Sequence, residues 1–271
     1  PLPKENQQTH EIHSKLGKCC FSLAAGKTDH MSVDKTGSRV RAMFGQIAGR
    51  YDLLNHLLSL GIDHRWRHRT VRLAAPRPGK PILDVCAGTA DLAIAYQRAC
   101  RKLPLAQRPL VVAADFCRPM LARGLGKLLR TGAPGVVVLI EADTLRLPFR
   151  DDCFQMVCVA FGLRNLCDTL QGLCEMTRVC ASGGKVVVLE FSTPRGGLLA
   201  SAYRWYLDRL LPVIGQTLAH NRLGAYNYLA ASVAEFPQGE ALAALMRQAG
   251  LHDVAVHRFT FGIASLYIGT K

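Results

Sequence analysis

From Pro81 to Phe191 the chain repeats one pattern: a short apolar run rich in branched residues, a turn, then a stretch of helical period. The runs are Pro81–Val85, Leu110–Ala114, Val136–Ile140, Phe154–Ala160 and Gly184–Phe191. The clearest helical stretches between them are Pro119–Leu129 and Asp168–Cys180. Continuously apolar runs of this length suit strands buried on both faces, and strands alternating with helices imply a parallel sheet with right-handed crossovers. A helix at Glu240–Gln248 and two strands, Asp253–Phe259 and Ala264–Gly269, complete the pattern. The expected fold class is α/β, with a seven-stranded, mostly parallel sheet and an antiparallel last strand.

The flanks differ. Residues 1–30 carry no sustained period and read as a disordered extension. From Arg39 to about Val71 the period is helical, with Met43, Phe44 and Ile47 on one face, then Leu53, Leu54, Leu57 and Leu58. Ala200–Ala231 is helical again. The expectation is one domain over residues 31–271, with an N-terminal helical cap and a helical insertion near 200–231. Its 271 residues, 49% hydrophobic, suffice for a sizeable core.

No apolar run approaches the ~18–20 residues of a membrane span. The patch Cys19–Gly26 is too short for a signal core, and no convincing cleavage site follows. Ten cysteines lie scattered without a CxxC pair. They read as buried small hydrophobes of a reduced, intracellular protein, and no metal site is expected. The net charge of +14 calls for an anionic partner: nucleic acid, a membrane surface or an acidic substrate. The densest basic run, His64–Lys80, reads on charge alone as a solvated helix face and loop.

In an open parallel sheet, ligands bind outside the carboxyl ends of the strands. Those ends carry Asp84–Asp91, Asp115, Asp143–Thr144 and Ala160–Asn165. The first turn, DVCAGTAD, lacks the GxGxxG spacing that brings backbone amides to a pyrophosphate. It places Asp84 and Asp91 around the turn instead. Carboxylates suit a ligand with a cationic centre and no phosphate, such as S-adenosyl-L-methionine. Asp115 can accept the ribose hydroxyls, Phe116 can cover the adenine, and Asp143 with the Thr144 amide can meet its edge. The expected cofactor contacts are Asp84, Cys86, Gly88, Thr89, Asp115, Phe116, Asp143, Thr144 and Ala160.

The segments FGQIAGRYDLLNHLLSLGIDHRWR (Phe44–Arg67), LDVCAGTADLA (Leu83–Ala93), VAFGLRN (Val159–Asn165) and VVLEFSTP (Val187–Pro194) extend this reading. With LPVIGQ, YNYLAASVAEFPQ and GIASLYIG, they resemble the C-methyltransferases of ubiquinone and menaquinone biosynthesis, from about Arg39 to Lys271. That family has the class I methyltransferase fold, Rossmann-like. The resemblance implies methylation of a polyprenylated quinol, demethylmenaquinol before its benzoquinol counterpart. It makes Arg164, Asn165, Tyr51 and Asp91 the catalytic candidates. Arg164 either stabilises quinolate charge or anchors its loop through the Asp168 region, and Tyr51 and Asp91 accept a proton. The tail needs an apolar groove, for which Leu53–Leu60 and Tyr203–Leu211 are the segments on offer, with ordinary core packing as their equal alternative. The basic excess then suits a cytoplasmic protein peripheral on the inner face of an anionic membrane, with room for a homo-oligomer.

Departures from the family pattern are Ala90 for Gly, Gln155 for Asp, Ala160 for Ser, Ser182 for Pro and Tyr267 for His. Ala90 is expected at negative φ, where its methyl costs the turn little. Two alternatives follow from the charge and the departures: an RNA methyltransferase, or a non-catalytic subunit of a quinone-biosynthesis complex. The strand-four loop lacks the Asn-Pro-Pro-aromatic motif of exocyclic-amine methylation, and no aromatic–basic platform marks a nucleic-acid partner.

Overall fold

The computed structural model describes residues 34–49, 51, 52, 55, 59, 61–131, 137–194, 201, 205, 209 and 225–271. The expectations for residues 1–30, for LPVIGQ, and for most of Leu53–Leu60 and Tyr203–Leu211 lie outside them.

Two helices precede the sheet: α1 (Gly37–Ile47) and α2 (Asp63–Ala74). Then come β1 (Ile82–Val85), α3 (Asp91–Ala99), β2 (Val111–Asp115), α4 (Arg118–Arg130), β3 (Val137–Glu141) and β4 (Phe154–Ala160). They are followed by α5 (Thr169–Val179), β5 (Cys180–Phe191), α6 (Ala225–Glu235), α7 (Glu240–Gln248), β6 (His252–Phe259) and β7 (Ala264–Thr270). The seven strands form one sheet in the order β3-β2-β1-β4-β5-β7-β6. β1 through β5 are parallel, and β7 runs antiparallel to both β5 and β6.

Burial explains the sequence pattern. Every residue of β1 and β2 is buried, as are six of the seven in β4. These central strands are covered on both faces. Trp66, Ile94 and Tyr96 of α2 and α3 cover one face with Leu189. Leu173 and Met176 of α5 and Leu242 and Met246 of α7 cover the other with Val186 and Tyr267. β1 is flanked by β2 on one side and β4 on the other, so the strand order reverses there and a crevice opens above it.

One boundary moves. The helix expected to reach Cys180 ends at Val179, and β5 begins at Cys180 rather than Gly184. The register with β4 breaks between Cys180 and Lys185, and Gly183–Gly184 lie in that irregular stretch. Gly183, at φ 68°, donates to the Lys271 carbonyl at 2.8 Å, and Lys271 donates back to Gly184 at 3.0 Å. The chain end therefore pairs with the start of β5. Asp168 caps α5, accepting from the Gln171 amide at 2.9 Å.

Of the described cysteines, Cys100, Cys117, Cys158 and Cys180 are buried as expected, but Cys153, Cys167 and Cys174 are exposed. Among the described residues no helix is long and apolar enough to cross a membrane, and no His, Cys, Asp and Glu cluster could hold a metal.

Candidate functional site

A cavity of about 240 Å³ opens at the carboxyl ends of the parallel strands. Its wall brings together Tyr51, Cys86, Gly88, Asp115, Phe116, Asp143, Thr144 and Asn165 from loops far apart in sequence. Five other candidates, Asp84, Thr89, Asp91, Ala160 and Arg164, are not in its lining.

The turn after β1 sets the geometry. Cys86, Gly88 and Ala90 occupy the left-handed region, with φ of 50°, 56° and 64°. These are the places where nucleotide-binding turns use glycine, and the backbone keeps that path with two side chains added. The expectation of negative φ at Ala90 is corrected. Its methyl is buried against the core, and Gly124 lets α4 approach it, since a Cβ there would lie 3.3 Å from the Thr89 carbonyl. At Gly162, a Cβ would come within 2.4 Å of the Cys86 Cβ. The loops after β1 and β4 thus touch and close the cavity floor.

Asp115 is buried at the end of β2. Its Oδ2 accepts from the Gly88 amide at 2.7 Å and its Oδ1 from the Cys117 amide at 2.8 Å. Each oxygen keeps further acceptor capacity. Burial raises its pKa, and the two amide bonds oppose the rise. Arg41 stacks 5.2 Å over the Phe116 ring, leaving one ring face. Asp143 Oδ1 accepts from the Leu145 amide at 2.9 Å, and the Thr144 hydroxyl lies 3.3 Å from Cys86 Sγ. An acceptor carboxylate, an aromatic face, a second carboxylate and a glycine whose Cβ would meet Tyr51 at 3.7 Å fit a nucleoside with vicinal hydroxyls.

The candidates outside the wall have other partners. Asp84 lies beneath the turn and accepts from the Ala93 amide at 3.0 Å, which anchors α3. Burial pushes it up to about 8. Asp91 faces away from the cavity and receives Lys127 Nζ at 2.6 Å. Its expected place beside the ligand is therefore not the observed one. Lys127 also donates to Thr89 Oγ1 at 2.8 Å and pairs with Asp52 at 2.8 Å, while Thr89 donates to Asp52 at 2.7 Å. Arg164 is 4% exposed and pairs with Glu190, itself 1% exposed, at 2.8 Å. It also donates to the Phe161 carbonyl at 2.6 Å. The anchor is Glu190 on β5, not the Asp168 region. Burial raises the Tyr51 phenol, so it stays protonated at neutral pH and is suited to donate a hydrogen bond rather than to take a proton.

A profile of the ubiE/COQ5 methyltransferase family matches residues 31–271. The chain belongs to that family. It is an S-adenosylmethionine-dependent C-methyltransferase. It is 44% identical over 254 residues to a ubiquinone/menaquinone biosynthesis C-methyltransferase of Geobacter sulfurreducens, covering 93% of this chain and 95% of that one. It is 46% identical over 229 residues to a demethylmenaquinone methyltransferase of Thermus thermophilus, covering 84% of this chain and 100% of that one. Its fold resembles an S-adenosylmethionine-dependent methyltransferase of Thermotoga maritima, with TM-score 0.59, 16% identity and coverage of 86% and 99%.

The departures from the ubiE/COQ5 pattern now have places. Gln155 sits at the foot of β4, away from the crevice. It accepts from the Arg77 amide at 2.7 Å and donates to the Arg77 carbonyl at 2.8 Å, tying down the loop before β1. The Tyr267 hydroxyl accepts from the Gly239 amide at 2.7 Å, behind the sheet. Neither touches the cavity.

Sequence reasoning missed Lys127, Glu190 and Tyr228. Tyr228 donates to Asn165 Oδ1 at 3.2 Å and so orients that amide at the cavity wall. It lies within the quoted YNYLAAS segment, which was the available signal.

Proposed function

We propose that the chain methylates a ring carbon of a polyprenylated quinol, demethylmenaquinol, and works at the face of an anionic membrane. The observation that supports this most is the meeting, in one cavity, of the cofactor-side residues Asp115, Phe116 and Asp143 with Tyr51 and Asn165. The two names that the relatives carry agree with it. Asp115 holds the ribose hydroxyls, Phe116 covers the adenine, and Asp143 and Thr144 meet its edge. Gly88 leaves room for the sugar. What S-adenosylmethionine supplies when bound is an electrophilic methyl on a sulfonium.

The chain's own residues position and polarise the quinol. Tyr51, protonated, donates to a quinol oxygen and favours its anionic form. Asn165, fixed by Tyr228, orients the second ring oxygen or a water that removes the phenolic proton. Arg164 touches neither reactant. It is a positioning residue whose pair with Glu190 shapes the loop that carries Asn165. Catalysis here is alignment plus placed dipoles.

The deciding experiment incubates the purified protein with S-adenosylmethionine and either short-tailed demethylmenaquinol or its benzoquinol counterpart. The methylated naphthoquinol is the expected product. Turnover of the benzoquinol alone would reverse the head-group assignment, and turnover of neither would end the reading.

A further inference from the structure

We infer that the β6–β7 turn and the outer face of α2 form a docking surface for an anionic lipid bilayer. The inference rests on the membrane-face reading above and names the residues that serve it.

Phe261, at the tip of the turn, is 81% exposed. Its backbone is not relaxed: Thr260, Phe261 and Gly262 have φ of 45°, 58° and 93°. Left-handed conformations disfavour residues with a Cβ, and two in succession need surroundings that enforce them. Those surroundings are present. Trp66 Nε1 donates to Thr260 Oγ1 at 2.8 Å, and Ser192 Oγ donates to the Gly262 carbonyl at 2.7 Å. The Ile263 amide closes on the Thr260 carbonyl at 3.1 Å. A rigid, strained turn thus holds a large apolar ring out in water.

Basic side chains adjoin the turn. Arg258 lines the same surface hollow as Phe261. Across the Trp66–Thr260 bond lies α2, whose exposed charged and titratable side chains are His64, Arg65, His68, Arg69 and Arg72. Its one acid, Asp63, is buried against Arg67. Among the described residues no carboxylate forms an ion pair with Arg65, Arg69 or Arg72. Arg69 stacks 4.9 Å over Phe259, which joins the basic helix to the aromatic turn.

An apolar ring flanked by unpaired guanidinium groups fits the boundary of acyl chains and anionic headgroups. An exposed Phe can also stack on a base, so RNA binding in place of vesicle binding is an outcome that would overturn the surface. The location agrees. Ser192 follows the carboxyl end of β5, so the turn lies at the end of the sheet where the cavity opens.

The test uses sedimentation of the full chain with vesicles of phosphatidylcholine alone or mixed with phosphatidylglycerol. The variants are Phe261→Gly, which suits the observed φ, and Arg65→Glu with Arg258→Glu. Wild type should bind the mixed vesicles, and each variant should bind about tenfold more weakly. Both should still methylate a short-tailed quinol in solution at the wild-type rate. Variants that bind vesicles like wild type would overturn the surface. So would wild-type binding to RNA but not vesicles, or a change of oligomeric state in Phe261→Gly that leaves vesicle binding intact. Failure of wild type on every quinol, with vesicle binding intact and lost in the variants, would instead refute the substrate and leave this surface standing.

Discussion

The ammonium of Lys127 lies 2.8 Å from a carboxylate oxygen of Asp52, one residue from Tyr51 at the cavity wall. The same ammonium holds Asp91 and Thr89. It therefore pins the segment that carries Tyr51 to the turn that carries Gly88. Removing it takes away the cation shared by Asp52 and Asp91 and leaves Arg67, 3.8 Å from Asp91, as the counter-charge on that side. Lys127→Met should cost about 1–2 kcal/mol in S-adenosylhomocysteine affinity, as charge-assisted bonds of partly exposed groups are lost. Titration calorimetry reads this. Unchanged affinity with a lowered Tm would reduce the lysine to a structural role.

Asp115→Asn tests the cofactor carboxylate. One oxygen survives as an acceptor, while the amide nitrogen faces a backbone N–H. Affinity for S-adenosylhomocysteine should fall by at least about 1.5–3 kcal/mol. A titration that matches wild type would remove Asp115 from the ligand set.

Ala90 gives opposing terms. Ala90→Gly relieves about 1–2 kcal/mol of left-handed strain. It loses about 0.8 kcal/mol of buried methyl and about 0.4–1 kcal/mol through unfolded-chain entropy. The terms nearly cancel, so Tm should move little. Ala90→Val adds a branched side chain to the same φ at a site with no free space, and should lose at least about 2 kcal/mol in denaturant unfolding. A tolerated valine would mean that the turn has another conformation.

The Arg164–Glu190 pair is buried on both sides. Arg164→Ala strands a carboxylate at 1% exposure and should lose about 3–5 kcal/mol of stability. Adding Glu190→Gln should recover part of that loss, because no charge is then stranded. A double-mutant cycle of unfolding free energies measures the coupling. Additive effects would separate the two residues. A folded Arg164→Ala variant with normal turnover would remove its positioning role.

Asp84 makes stability depend on pH. Its carboxyl, pushed up to about 8 by burial, binds a proton more tightly folded than unfolded. The contribution is full below about 4, the unfolded value, and is lost as pH rises through about 8. Tm should fall across that window, and Asp84→Asn should flatten the fall. The same slope in both proteins would assign it to another group.

The central strands were legible because burial on both faces leaves an uninterrupted apolar run. The end of α5 was not. Nothing in Arg178–Ala181 breaks a helix, and the pairings that start β5 come from Phe154 on β4 and, three residues on, from Lys271 at the far end of the chain. At the cavity, residues at strand ends were readable from topology, and Asp115, Phe116 and Asp143 stand at the wall. Asp84 and Asp91 do not, since a turn of alternating left-handed residues points its acids beneath and behind itself. The partners of Asp91 and Arg164 lie 36 and 26 residues away, a distance no local pattern reports.

The contact between Cys86 and Gly162 makes the history of each position hostage to the other. With any side chain at 86, only glycine fits at 162, because the two Cβ atoms would overlap. A lineage that carries glycine at 86 has one obstacle fewer at 162, and this one has closed that route. Substitutions in the motif around Asn165 are therefore not portable between relatives unless the residue at 86 travels with them.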